Sequence, residues 1–195
     1  MSNPRTYTIP LFIVTFFLLV TSIPQNSYAK NHYKSTLKEW TREEEVYGRD
    51  DFYASMKWIA TFQSAAYLKS KINKLTTIYG YSGQDLQELI SKEQTPCLDN
   101  YCFYVSFYAY DRKNGDLASK DGDWKLSLDV NGRKIKPTKI EKVSKITAYH
   151  RALFPYSNIW SRHYLISFPK TTKQDSTPVT LSIRGPFGKS QLEWK

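Results

Sequence analysis

Residues 52–79 read FYASMKWIATFQSAAYLKSKINKLTTIY, and the fold turns on a change of period inside them. Phe52, Ala54, Met56, Trp58, Ala60 and Phe62 alternate with Tyr53, Ser55, Lys57, Ile59, Thr61 and Gln63. Successive side chains leave a strand on opposite faces, so a two-residue period rich in aromatic and β-branched residues predicts a strand. At Ser64 the period changes: Leu68, Ile72, Leu75 and Tyr79 recur at helical spacing. Ser64 is placed to cap the first backbone N–H groups and Gly80 to end the helix. Ser82 opens a second helix, with Asp85 three residues on and Leu86, Leu89 and Ile90 as its apolar stripe. Thr95-Pro96 is expected to stop it, because proline lacks the N–H that a helix interior needs. Two helices joined so tightly pack as a hairpin.

Period two returns at Cys102. Phe103, Val105, Phe107 and Ala109 alternate with Tyr104, Ser106, Tyr108 and Tyr110. After a polar loop, Trp124, Leu126, Leu128 and Val130 alternate with Lys125, Ser127, Asp129 and Asn131, and Asn131-Gly132 signals a hairpin into Arg133 to Lys136. Pro137 places that strand at an edge or a bend. Residues 138–149 are ambiguous and hold at most one strand, and 153–160 read as an aromatic, turn-rich loop. Tyr164, Ile166 and Phe168 mark the next strand, Val179, Leu181 and Ile183 the one after. Gly185-Pro186-Phe187-Gly188 turns the chain into a last strand with Leu192 and Trp194. With Glu43 to Tyr47 as a short first strand, the expected class is α+β. It is an antiparallel β-sandwich with a two-helix hairpin inserted between the second and third strands. The domain spans 42–195, with the helical insertion at about 64–94.

Ahead of the domain, residues 1–29 have the three parts of a secretory signal peptide. Arg5 is the only charge, Leu11 to Val20 form a short apolar block, and Ser27-Tyr28-Ala29 place small residues at −3 and −1. The block falls short of the ~20 residues a spanning helix needs. Cleavage is expected after Ala29; the alternative is an uncleaved anchor. Residues 30–41 then read as a mobile polar tether. The expected product is exported to the periplasm or beyond and, with neither cysteine beside the cleavage site, is not a lipoprotein.

The mature part keeps 27 of the 28 basic residues and all 18 acidic ones, a net charge of +9. Such a balance favours anionic polymers or membrane surfaces as partners, although many exported proteins are this basic with no specific anionic ligand and a solvated charged surface is the commoner explanation. Lys69, Lys71 and Lys74 lie on or beside the polar side of the first helix, with Lys92 on the second. They form a candidate anion-binding face. Cys97 and Cys102, four residues apart in an exported chain, read as a structural disulfide that staples a turn; two free thiols, or metal or redox chemistry, are the alternatives. Asp111 to Asp116 and Asp121 to Asp123 superficially resemble a calcium loop. Their spacing does not match an EF-hand, Arg112, Lys113 and Lys120 would repel a cation, and Asp, Asn and Gly are ordinary turn residues. The three histidines, His32, His150 and His163, are far apart, and no motif brings a base, a nucleophile and an oxyanion donor together. No catalytic residue, cofactor or metal site is expected.

Trp40-Thr41-Arg42, Ala60-Thr61, Trp124, Phe168-Pro169 and Leu192-Glu193-Trp194 occur in that order. In this W-T-R, A-T, W, F-P, L-E-W skeleton, from about residue 37 to the end, the chain resembles exported bacterial proteins of unknown function. The resemblance implies an envelope-associated domain and transfers no functional residue. The expectation is a non-catalytic interaction or structural module of the cell envelope, with another envelope protein as partner. The alternative is an electrostatic binder of anionic polymer or lipid headgroups through the basic helix face. N-terminal sequencing of fractionated protein is expected to begin at Lys30; a start at Met1 in the membrane pellet would make the apolar block an anchor.

Overall fold

The computed structural model describes residues 25–48, 54–113, 115–170 and 178–195, with side chains from residue 32 onward. The apolar leader block and the expected strand residues Phe52 and Tyr53 lie outside the described residues. The elements run α1 (Gln25–Trp40), β1 (Thr41–Tyr47), β2 (Ala54–Phe62), α2 (Ala65–Tyr79), α3 (Gly83–Leu98) and β3 (Asn100–Ala109). They continue as β4 (Lys125–Val130), β5 (Arg133–Ile135), β6 (Lys139–Val143), α4 (Ala148–Leu153), β7 (Arg162–Pro169), β8 (Val179–Gly185) and β9 (Gly188–Trp194).

The strands form two antiparallel sheets, ordered β1-β2-β3-β7-β6 and β5-β4-β8-β9. The α2–α3 hairpin lies between β2 and β3 in the chain, as the periodicity predicts. Met56, Trp58 and Phe62 of β2, Phe103, Val105 and Phe107 of β3 and Tyr164, Ile166 and Phe168 of β7 all face the second sheet. They meet Leu126, Leu128, Leu181, Ile183, Leu192 and Trp194 from β4, β8 and β9. This is the apolar parity of each strand brought into one layer.

The other parity of the five-stranded sheet is covered at its centre. Tyr104 of β3 packs in a second cluster with Tyr33 and Leu37 of α1, Tyr67 and Leu75 of α2, Leu153 and Phe154. The architecture is therefore three layers: helices, a five-stranded sheet and a four-stranded sheet. Ser64 caps α2, its hydroxyl accepting from the Tyr67 N–H at 3.2 Å.

The structure departs from the sequence reading in two places. Residues 30–40 are not a loose tether but belong to α1, whose Tyr33 and Leu37 are core residues. Tyr33, Leu37 and Trp40 stand at helical spacing, and Tyr33 donates to the Leu153 carbonyl at 2.7 Å. The second helix runs past Pro96 to Leu98. Proline there forfeits one bond in the final turn, while its carbonyl accepts from the Asn100 side chain at 3.1 Å, so the ending shifts rather than breaks.

The two sheets are joined along one side by β1 and β9. Trp194 donates its indole N–H to the Trp40 carbonyl at 2.9 Å, and Arg42 donates to the Glu193 carbonyl at 2.9 Å. Near the opposite end of β9, Gly185 lies beneath Trp124: a Cβ there would sit 2.2 Å from the indole ring. Gly185→Ala is expected to destabilise the fold by about 1–3 kcal/mol in urea unfolding, since added volume in a packed site must displace its neighbour. Unchanged stability would mean that the Trp124 ring is not packed on this glycine.

Candidate functional site

The helical layer is narrower than the sheet it covers. α1 and α2 lie over β2 and β3, leaving the outer faces of β7 and β6 open beside α3. There the register aligns Lys139 with Ser167, Glu141 with Leu165 and Val143 with His163. The space between this exposed sheet face, α3 and α4 is a cleft of about 550 Å³. Its floor is Cys102, Tyr104, Leu165 and Ser167; Lys139, Glu141 and Val143 line the β6 side. Lys71 and Gln63, Glu93 and Cys97, Tyr149 and His150, and Phe154 complete the walls.

The polar groups of the cleft are held by named contacts. Lys71, 6% exposed, pairs with Glu93 at 2.5 Å between Nζ and Oε2. Tyr149 donates to the other carboxylate oxygen at 2.9 Å. Burial, reinforced by the adjacent Glu93 carboxylate, pushes the Tyr149 phenol up, so it keeps its proton and remains a donor. The Thr147 backbone N–H and hydroxyl lie 3.3 and 2.9 Å from His150 Nδ1. A backbone N–H can only donate, so Nδ1 accepts and the neutral ring carries its proton on Nε2. Burial, and secondarily the Lys71 charge, hold the His150 imidazole below its ordinary value.

His163 stands behind the floor. Its ring stacks against Tyr104 at 5.8 Å, as does His150 at 6.4 Å, so two histidines remote in sequence flank one tyrosine. Phe154 lies on the same tyrosine at 3.7 Å and 4° between planes. Burial pushes the Tyr104 phenol up to about 12, against a hydrogen bond with Ser157. His163 Nε2–H donates to the Asn158 carbonyl at 3.0 Å, while Nδ1 is buried with no hydrogen bond.

The lysines expected to form one basic face do not share one. Lys69 is exposed, whereas Lys71 points into the cleft wall against Glu93. Lys74 donates to the Ala152 carbonyl and lies 4.0 Å above the Tyr33 ring. The helix is packed on two sides, so its polar stripe is divided between solvent and interior. Cys97 and Cys102 are joined by a disulfide that ties the end of α3 to the start of β3 and lines the cleft. In the acidic loop, Asp111 accepts from the Lys113 N–H at 2.9 Å. Asp116 accepts from Ala118 N–H and Tyr164 and pairs with Lys142 at 2.7 Å. Asn114 lies outside the described residues. Of the aromatic loop, Phe154 is buried, while Ile159 and Trp160 are 76% and 67% exposed.

Sequence reading did not single out Glu93, Tyr149 or Gln63. Each is an isolated polar residue within its own element, and no local spacing signals that they line one cleft. No protein-family model and no curated protein matches the chain. Among solved structures it is similar to a novel protein of unknown function from Burkholderia pseudomallei. That likeness is 10% in identity over 87% of this chain and 85% of that one, with a TM-score of 0.45.

The neutral burial of His163 sets a pH dependence. Desolvation lowers its folded-state value, with His150 adding to the effect and the Asn158 carbonyl opposing it. The unfolded chain therefore binds the proton more readily, and stability is full above the ordinary value of 6.5 and lost as pH falls through the lower folded value. The melting temperature is expected to drop between about pH 7.5 and about pH 5, and His163→Leu to flatten that drop in part, the remainder belonging to His150, whose imidazole is also held low. Asp116 and Glu45, both held low, act only at more acidic pH. An unchanged slope in His163→Leu would remove this histidine from the account.

Proposed function

We propose that the protein is an exported, non-catalytic binding module of the cell envelope, whose ligand is a small molecule held between the helical layer and the open face of β7 and β6. The observation that carries this reading is the cleft itself. Its 550 Å³ lie within the about 300–1,000 Å³ typical of small-molecule sites. Its walls combine apolar side chains with a few anchored polar groups, the usual composition of such sites.

Several features support binding over chemistry. Both oxygens of Glu93 are occupied, by Lys71 and Tyr149, which leaves the carboxylate engaged as an anchor rather than free as a base. His150 has one ring nitrogen committed to Thr147, and no hydrogen bond joins it to Glu93 among the described residues. The leader pattern supports export, and so does the disulfide, since such bonds persist in oxidising compartments. Among the described residues no helix is long and apolar enough to cross a membrane. The buried residues described in α1, Tyr33, Thr36 and Leu37, all follow Ala29, so cleavage there keeps them in place.

A neutral, apolar fluorescent probe, N-phenyl-1-naphthylamine, is expected to bind the mature protein one to one. Leu165 is 39% exposed on the cleft floor, and Leu165→Trp is expected to abolish binding by filling the space while the melting temperature is retained. Absence of saturable binding, or equal binding by Leu165→Trp, would overturn the cleft as a ligand site. The electrostatic alternative has its own readout. Retention on heparin at physiological salt that is lost on substituting Lys69, Lys71 and Lys74 together would favour it, because polyanion contacts weaken steeply with salt.

A further inference from the structure

Resting on the cleft reading, the hydrogen-bond inventory of the cleft identifies the chemical class of its ligand. We infer that the cleft takes a small apolar molecule carrying one acidic group, whose anionic oxygens accept from the Lys71 ammonium, the Gln63 amide and His150 Nε2–H.

Polar groups of the cleft have donors to spare. An ammonium has three N–H donors and no acceptor. Lys71 uses one on Glu93 and makes no other hydrogen bond among the described residues, although its side chain is only 7% exposed. Gln63 is 7% exposed, and its side chain makes no hydrogen bond among the described residues. It stands one residue beyond β2, just before the Ser64 cap, and lines the cleft. His150 has Nδ1 engaged as an acceptor, which leaves Nε2–H as its unused donor.

The carboxylates of the cleft are already engaged. Each Glu93 oxygen accepts one hydrogen bond, from Lys71 and from Tyr149, and Glu141 is paired with Lys139 at 2.5 Å. The Ser167 carbonyl already accepts from the Thr138 N–H and hydroxyl. The cleft therefore holds one cationic group in excess, Lys92 once Lys71 is set against Glu93 and Lys139 against Glu141, beside the unused N–H donors of Lys71 and His150. None of these donors is sealed away from the cleft, so a ligand that fills it desolvates them and gains most by bringing oxygen acceptors to them. An anion gains more than a neutral carbonyl because charge-assisted hydrogen bonds are about twice as strong. Tyr104, Phe154, Val143, Leu165 and the disulfide offer apolar surface to the rest of the molecule, broken by the polar side chains of Asn100, Thr138 and Ser167. A ligand charged along its length would leave that charge desolvated and unpaired, so the acidic group belongs at one end.

A matched set of ten-carbon probes, decanoate, decanol and decylamine, separates the terms by displacement of N-phenyl-1-naphthylamine from the mature protein at pH 7. Decanoate is expected to displace the probe at a concentration at least tenfold below that of decanol, the factor a single charge-assisted hydrogen bond supplies, with decylamine weakest. Gln63→Leu replaces an unbonded amide by an apolar group of similar size and is expected to fold. It should reduce the acid-over-alcohol ratio several-fold while leaving decanol unchanged. Lys71→Met should reduce that ratio to about one, and circular dichroism of the variant distinguishes lost recognition from lost fold. Equal displacement by acid and alcohol, or preference for the amine, would overturn the ligand class and leave the cleft reading intact. Failure of the probe and all three chains to bind would remove the cleft reading itself.

Discussion

The structure depends on β3 being buried on both faces. Tyr101, Phe103, Val105, Phe107 and Ala109 point into the sandwich, while Cys102, Tyr104 and Ser106 between them are equally withdrawn from water. A central strand with two dry faces cannot be served by a two-layer sandwich alone; a third layer has to cover the second face. The helical hairpin and α1 are that layer, and their aromatic contacts centre on Tyr104, with Phe154 stacked on it at 3.7 Å. Burying two faces of one strand brings apolar area into both interfaces at once, the dominant favourable contribution in folding. On the helical side the hydroxyl groups this draws inward are paired, Tyr104 with Ser157 and Tyr33 with Tyr67 and the Leu153 carbonyl, whereas the Tyr101 hydroxyl inside the sandwich is buried with no hydrogen bond among the described residues.

The short skeleton of recognisable residues finds its explanation in the seam between the sheets. Trp40, Arg42, Glu193 and Trp194 are joined by two side-chain-to-backbone hydrogen bonds, and Arg42 also lies 6.0 Å above the Trp194 ring. Thr41 and Thr61 share a hydrogen bond at 2.7 Å, and Thr61 passes it to Tyr156 at 2.6 Å. Trp40 meets Phe62 edge to face, and Trp124 covers Gly185. These residues are held for packing and for backbone satisfaction, so a resemblance built on them speaks of the scaffold and not of chemistry. The cleft lies on the other side of the five-stranded sheet and uses none of them as lining residues.

Electrostatically, the cleft and the surface follow different rules. The chain is strongly basic as a whole, yet the lysine that matters to the cleft is neutralised by Glu93 and withdrawn from solvent. A net charge describes the field a partner meets at a distance, whereas a buried ion pair fixes geometry over a few ångströms. The disulfide belongs with the second group. It ties the end of α3, whose apolar stripe is only half-buried, to β3 at the cleft wall.

What the amino-acid sequence determined by itself was the parity of β2, β3, β4, β7, β8 and β9 and the place of the helical hairpin, while the β6 region stayed ambiguous. Burial of one face imposes a period of two on a strand and 3.6 on a helix, and both survive in the order of residues. Met56, Trp58 and Phe62, then Leu68, Ile72 and Leu75, and the turn at Asn131-Gly132 were legible for that reason. Periodicity states which side of an element is buried but not what buries it. Residues 30–40 therefore read as a polar tether although Tyr33, Leu37 and Trp40 repeat at helical spacing, because three aromatic or apolar residues among charges make a weak stripe. For the same reason Lys71 could not be told from Lys69: a lysine on the polar side of an amphipathic helix is solvated unless another element crosses it, and only the third dimension brings α3 and Glu93 there. The cleft was decided wholly by tertiary structure. Its Gln63, Lys71, Glu93, Tyr149 and His150 come from four separate segments, and it exists because the helical layer is narrower than the sheet it packs upon.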